Sequence, residues 1–147
     1  MFLPAPFLAD SAEAAQVILS QRMVREALEL AERADHMVIS VGECTADALL
    51  QATGVLTPDE IAALGRAGAV ADTTGKFFRA DGALAETDLN ARAPSIGIAD
   101  LQRSKVLLLA AGRGKAVATL AVLRAGFVDR LMVDEGLALA LLEGDGA

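Results

Sequence analysis

Near the end of the chain a strand, a glycine-containing turn, a helix and a second strand follow one another, and this order constrains the fold most. The apolar run "KVLLLAAG" predicts a buried strand, "DRLMVD" predicts another, and a helix over about 115–124 connects them. A connection through a helix is typical of two parallel strands. The run "HMVISVG", ending at Gly42, adds a further strand. We therefore expect one α/β domain with a parallel-rich sheet and flanking helices.

The remaining segments predict helices and short strands around this sheet. Ser11 begins a stretch of one or two helices that reaches to about residue 34, and Thr57, Pro58 and Glu60 form the start signal of another helix. A helix is also predicted over Ala46–Thr53. Further predictions are a single strand over "GAVADTTGKFF", a hairpin-type turn at "DG" in "RADGALA", a short strand at "SIGIA" and a closing helix over "EGLALALLE".

Composition and charge exclude several classes of function. The net charge is −7 and the isoelectric point about 4.6, which disfavours nucleic-acid binding by this chain alone. Cys44 is the only cysteine, so an internal disulfide is excluded and a reducing cytoplasm is expected. "MFLPAPFLAD" lacks the basic start of a signal peptide, and no apolar run approaches the ~20 residues of a membrane helix. We expect no membrane contact, no metal site and no cofactor.

The glycine turn after "KVLLLAA" invites comparison with a nucleotide-binding P-loop. That motif needs a glycine five positions before its Gly-Lys pair and a Ser or Thr after the lysine. Here those positions hold Leu109 and Ala116, so ATP or GTP hydrolysis is not expected. What remains is a helix start with Gly112, Arg113 and Lys115, which suits an anion. The alternative is a plain connection between strand and helix.

Several polar residues fall where a ligand site is expected in a parallel sheet. Gly42, Gly112 and Asp134 each follow a predicted strand, and ligands bind at such carboxyl ends. Asp72 lies in an otherwise apolar strand, where it is either a solvent-facing residue or an acceptor for ligand hydroxyls. Asp134 has an alternative role as the cap of the final helix.

Two cations, Lys76 and Arg92, are predicted to flank the same pocket, with exposed surface charge as the alternative. The segment after Gly42, including Cys44, could also line it. Cys44 is not expected to be a nucleophile, because His36, the only histidine, begins the same predicted strand at its far end.

Three segments together resemble the sugar-binding domain of the SorC family of bacterial transcriptional regulators. They are "LPAPFLAD", "SVGECTADALLQATGVLTPDEIAALGRAGAVADTTGKFF" and "AAGRGKAVATLAVLRAGFVDRLMVDEGLA". The resemblance implies a fold similar to ribose-5-phosphate isomerase and glucosamine-6-phosphate deaminase, with a phosphorylated sugar or polyol bound as an effector and no catalytic residue. The ligand-binding residues expected on these grounds are Gly42, Asp72, Lys76, Gly112, Arg113, Lys115 and Asp134.

The resemblance also implies parts that this sequence lacks. SorC-family members begin with a helix-turn-helix domain, followed by an early strand and a loop that grips the effector's phosphate, and both are expected to precede Met1. Residues 1–147 are therefore expected to be a partial effector domain, incomplete at the N-terminus, that reaches DNA only through such a domain and forms a homo-oligomer. Arg79 stands where the family often has an acid, and Ala111 replaces the first glycine of its usual pair. These departures leave the effector open.

Two alternative functions remain at this point. A sugar-phosphate isomerase or deaminase of the same fold could use Asp72 as a general base, although the sequence offers no evident acid–base partner. The chain could also be a remnant without function.

Overall fold

A computed structural model describes residues 2–45 and 53–144 of the chain. Its helices are α1 (Ala12–Ser20), α2 (Arg22–Glu32), α3 (Pro58–Arg66), α4 (Leu89–Arg92), α5 (Ile98–Arg103), α6 (Ala116–Arg124) and α7 (Glu135–Gly144). Its strands are β1 (His36–Ser40), β2 (Gly42–Glu43), β3 (Ala69–Thr73), β4 (Lys76–Arg79), β5 (Lys105–Ala110) and β6 (Arg130–Val133). The helix predicted over Ala46–Thr53 lies, except for its last residue, outside the described residues.

The predicted parallel sheet is confirmed and has the strand order β1-β5-β6. Both of its strand pairs are parallel, and α6 provides the crossover from β5 to β6. The face towards α6 is buried because every second residue of β1 and β5 is apolar and points into it. Ile39, Val106 and Leu108 pack there with Ala121 and Val122 of α6. This is the α/β architecture that the sequence predicts.

A second sheet, with the order β2-β3-β4, is antiparallel, and it corrects one prediction. The stretch "GAVADTTGKFF" is not a single strand, because Thr74 and Gly75 form a two-residue turn between β3 and β4. Both have positive φ, 51° and 75°, as a type I′ hairpin turn requires. Thr rarely adopts this conformation, so the sequence signal is weak. The predicted turn at Asp81–Gly82 is confirmed, since the Arg79 N–H donates to Ala83 O at 2.8 Å across it.

The helix starts follow the predicted caps, with one correction. The Ser11 hydroxyl accepts from the Ala14 N–H, and Thr57 and Glu60 form a reciprocal capping box at the start of α3. The segment "SIGIA", predicted as a strand, instead leads into α5. The Asp100 carboxylate accepts from the Gly97 N–H at 3.0 Å and stabilises this helix start. The alternating pattern Ile-Gly-Ile therefore resembles a strand without forming one.

One face of the parallel sheet is open to solvent. Val38 of β1 is 63% exposed and Met132 of β6 is 61% exposed, whereas Val106 and Leu108, on the opposite face of β5, are buried. The side chains of Leu107 and Leu109 complete this face, which we call the open face (Val38, Leu107, Leu109 and Met132). Among the helices of residues 2–45 and 53–144, none combines the length and apolar character needed to cross a bilayer.

Candidate functional site

The two sheets meet where β1 ends and β2 begins, and this junction holds the candidate site. A single residue, the buried Val41, separates β1 from β2, so one run of chain contributes to both sheets. Thr73, the last residue of β3, donates from its hydroxyl to Ser40 O at 2.7 Å and fastens β3 to the end of β1. The carboxyl end of the parallel sheet is therefore joined to the middle of the antiparallel sheet.

Asp72 is a buried carboxylate at this junction. It is 7% exposed and pairs across the sheet with Gly42, where a Cβ would lie only 2.0 Å from Asp72 Oδ1. Glycine at position 42 therefore makes room for the carboxylate. Burial raises the pKa of Asp72 from 3.8 to about 6, and the positive charge of Lys115 partly opposes that rise.

Lys115 is the cation of the junction. It lies at the end of a short 3₁₀ turn, Arg113–Lys115, between β5 and α6. Its Nζ donates to Val41 O at 2.9 Å, the carbonyl between the two sheets, and its charge favours ionised Asp72. The structure thus brings Gly42, Asp72 and Lys115 together, as the sequence predicts.

Gly112, Arg113 and Asp134 form a second group beside the first. Gly112 has φ 98°, which favours glycine, and its N–H donates to Asp134 Oδ2 at 3.1 Å. The other oxygen of Asp134 accepts from the Leu137 N–H at 2.9 Å and caps α7. Arg113 is paired with Glu143 near the end of the same helix. Both charged side chains therefore have protein partners. Asp134 caps the final helix, which is the alternative role that the sequence left open for it.

An open cleft of about 410 Å³ lies at the carboxyl ends of β5 and β6, where ligands bind in α/β sheets. Backbone and apolar side chains form most of its wall, and Lys115 and Asp134 contribute its charged groups. The lining residues are Leu109, Ala110, Ala111, Lys115, Met132, Val133 and Asp134. Lys115 belongs both to this cleft and to the junction with Asp72, so it connects the two.

The other two predicted cations lie apart from this group. Lys76 pairs with Thr73 across the hairpin, on the opposite face from Asp72, and its Nζ donates to Asn90 O at 2.7 Å. Burial lowers the pKa of Lys76.

Arg92 holds neighbouring segments of the chain together. It forms a 2.6 Å ion pair with Glu60 of α3, and its Nε donates to Ala9 O at 2.7 Å, so it connects α3, α4 and the segment before α1. Sequence position alone could not reveal these partners.

Val41 and Cys44 are neighbours of the site, and only Cys44 was expected from the sequence. Val41 takes part through its backbone carbonyl, which no residue type can signal. Burial, and to a lesser degree the negative charge of Asp72, raise the pKa of the Cys44 thiol to about 12, so the thiol stays protonated. Among the described residues, no group of three or more His, Cys, Asp or Glu side chains could hold a metal ion.

Comparisons with known proteins identify the family and the fold of the chain. The family described as "Putative sugar-binding domain" matches residues 1–143. The erythritol catabolism regulatory protein EryD of Brucella abortus (strain 2308) is 33% identical over 140 residues, which cover 95% of this chain and 44% of that protein. The chain thus spans less than half the length of this curated relative.

Two solved structures have the same fold. The "Putative Sugar-Binding Domain of Transcriptional Repressor" from Vibrio fischeri matches with a TM-score of 0.86 at 26% identity, covering 99% of this chain and 58% of that one. The full-length sorbitol operon regulator SorC of Klebsiella pneumoniae matches with a TM-score of 0.79 over 94% of this chain and 44% of that one; at 18% identity it shows the fold alone.

These relatives are named as transcriptional regulators, and nothing among them supports the isomerase or deaminase alternative. The chain belongs to the family of sugar-binding domains whose model matches residues 1–143, a family it shares with relatives that are transcriptional regulators by name.

Proposed function

We propose that this domain senses a phosphorylated sugar or polyol, which it binds without turnover, and that Asp72 and Lys115 contact the effector. The observation that carries the proposal is the position of the Asp72 carboxylate, which is 7% exposed, stands opposite Gly42 and lies close enough to Lys115 for the two charges to interact. Burying an ionisable group is unfavourable, and such a cost is retained where the group has a binding role.

The chemistry of the two side chains suits a polyhydroxylated ligand. A carboxylate accepts hydrogen bonds from hydroxyl groups, and a lysine ammonium donates to hydroxyl or phosphate oxygens. The adjoining cleft of about 410 Å³ falls within the ~300–1,000 Å³ of small-molecule sites. Gly42 supports the assignment because only a residue without a side chain leaves Asp72 in place.

We assign the hydroxyl-bearing part of the effector to this site rather than its phosphate. The Gly112 N–H, which a bound anion would use, already donates to the Asp134 carboxylate. Arg113, the other cation of the turn, is paired with Glu143. A second anion next to Asp134 is disfavoured by like-charge repulsion. The phosphate contacts are therefore proposed to come from residues other than these.

We also propose how the domain assembles and how it contacts DNA. A homo-oligomer is supported by the open face, because large exposed apolar areas mark interaction surfaces. Contact with DNA is proposed to run through a separate helix-turn-helix domain of a longer cytoplasmic regulator, since a net charge of −7 disfavours DNA binding by this chain.

The likeness to EryD, a regulator of erythritol catabolism by name, makes four-carbon polyol phosphates reasonable first candidates for the effector.

The test is a calorimetric titration of the complete regulator with erythritol 4-phosphate, ribose 5-phosphate, glucosamine 6-phosphate and ATP. Lys115→Ala and Asp72→Asn each remove a charge-assisted hydrogen bond worth about 1.5–3 kcal/mol, so each should weaken effector binding roughly ten- to a hundredfold. Lys105→Ala, which removes an exposed lysine at the other end of β5, is the matched control and should bind like the wild type.

Three results would contradict the proposal. The first is full effector affinity in folded Lys115→Ala and Asp72→Asn variants. The second is tighter binding of ATP than of every sugar phosphate, and the third is turnover of any member of the panel.

A further inference from the structure

The turn that carries Lys115 is tied to α7 at both ends of that helix. At the start of α7, the two oxygens of Asp134 bridge the Gly112 N–H and the Leu137 N–H. Near its end, Glu143 pairs with Arg113. A movement of the turn therefore acts on the start of α7 through backbone N–H groups, and on its end through an ion pair of two exposed side chains.

The position of α7 makes it able to transmit such a movement. Its inner face, with Leu137 and Ala140, is buried, while Leu139 and Leu142 on its outer face are exposed. The helix thus contacts the turn on one side and solvent on the other. It contributes no residue to the junction of Asp72 and Lys115, so a change in α7 on binding would be indirect.

Gly112 determines the geometry of the turn. Its φ of 98° is accessible to glycine but strained for other residues, and a Cβ at this position would meet no atom within 4 Å. A substitution here acts on the backbone of the turn alone, without a steric effect on α7. It therefore offers a way to disturb the turn and observe the helix.

We infer that α7 is the output element of the domain: occupation of the site at Lys115 changes the conformation of the Gly112–Lys115 turn, and the two ties convert this into a change in the stability of α7. The meaning of α7 as an output rests on the proposed function, whereas the coupling between turn and helix is a property of the fold. A two-state element that both sites influence is what such coupling requires.

The coupling is tested without ligand by hydrogen exchange of the backbone amides in Gly112→Ala. The strained turn should loosen both ties and speed exchange of the α7 amides at least threefold more than that of α3 or β5. Gly68→Ala is the matched control, because Gly68 also has positive φ (69°) and room for a Cβ but follows α3. Gly68→Ala should speed amide exchange in α3. It should change the exchange rates of α7 and β5 to the same extent. Equal acceleration of α7, α3 and β5 in Gly112→Ala would overturn the inference.

A second measurement adds ribose 5-phosphate to the complete wild-type regulator. Slower exchange at residues 113–116 together with α7 supports the inference, and slower exchange at the turn with no change in α7 overturns it while leaving the proposed function intact. No change at either place counts against binding of this probe at the proposed site, and the coupling then stands or falls with the Gly112→Ala result.

Discussion

The two sheets of this domain reverse the usual relation between strand direction and burial. Parallel sheets are normally covered on both faces, whereas antiparallel sheets often expose one. Here the parallel sheet β1-β5-β6 has an open face, with Val38 and Met132 exposed. The antiparallel sheet β2-β3-β4 is packed on both faces, since Phe77 and Phe78 enter different apolar clusters.

This difference distinguishes the apolar side chains that form the core from those that remain available for contact with another molecule. The antiparallel sheet has its apolar side chains in place and still keeps one buried carboxylate, Asp72, at its centre. The parallel sheet supplies the cleft at its carboxyl end and offers an apolar surface that the described residues do not cover. Both sheets therefore contribute to the core, but only the parallel sheet also leaves an apolar face available for association.

The largest effect is expected from Phe78→Ala in the antiparallel sheet. Phe78 is 1% exposed and contacts Phe127 with ring centroids 6.0 Å apart, so truncation leaves a cavity in the core. The free energy of unfolding should fall by about 3–5 kcal/mol. Urea unfolding followed by circular dichroism measures it, and a loss below about 1 kcal/mol would show that this sheet does not support the fold as described.

The next effect concerns Asp72 and depends on pH. Its pKa is raised from 3.8 to about 6 in the folded state, so the folded protein binds this proton more tightly than the unfolded chain does. Its favourable contribution is complete below pH 3.8 and is lost as the pH rises through about 6. At pH 8 the ionised group should destabilise the fold by about 3 kcal/mol. Asp72→Asn should remove this destabilisation at pH 8.

The free energy of unfolding of wild type and Asp72→Asn, measured at pH 5 and pH 8, checks the direction of this pH dependence. The variant should gain stability over the wild type at pH 8 while losing effector affinity, the trade-off expected of a binding residue. A variant less stable than the wild type at pH 8 would mean that Asp72 is held by the fold rather than kept for a ligand.

The smallest effect on stability is expected on the open face. Val38→Ser changes a residue that is 63% exposed, so monomer stability should change by no more than about 0.5 kcal/mol. The same change should weaken self-association, as measured by light scattering over a range of concentrations. Unchanged association in Val38→Ser, or a monomeric wild type at all concentrations, would remove the support that this face gives to a homo-oligomer.

The sequence predicted most of the fold because its local signals and its tertiary contacts agree. The capping residues of α1 and α3 and the apolar alternation of β1 and β5 all have the predicted roles. The two errors arise where a local pattern is ambiguous: Thr74 adopts a conformation rare for its type, and Ile-Gly-Ile near Gly97 imitates a strand. In both, the deciding interaction involves the backbone, which composition does not reveal.

The candidate site was harder to predict, since the sequence identifies charged residues but not their partners. Asp72 stood out because a carboxylate in an apolar strand is unusual, and Lys115 because it begins a helix. Lys76 had the same appearance but contacts Asn90 O on the opposite side of the hairpin. Which lysine reaches the junction depends on strand register, and register follows from a turn that the sequence did not indicate.

The single residue between β1 and β2 has a consequence for how the domain unfolds. Because Val41 is buried and its carbonyl is held by Lys115, neither sheet can detach without exposing this residue and breaking that hydrogen bond. The Thr73 hydroxyl on Ser40 O adds a second connection at the same point. The two sheets should therefore behave as one cooperative unit, or foldon, whose slowest-exchanging amides in β3 and β5 open with the same free energy.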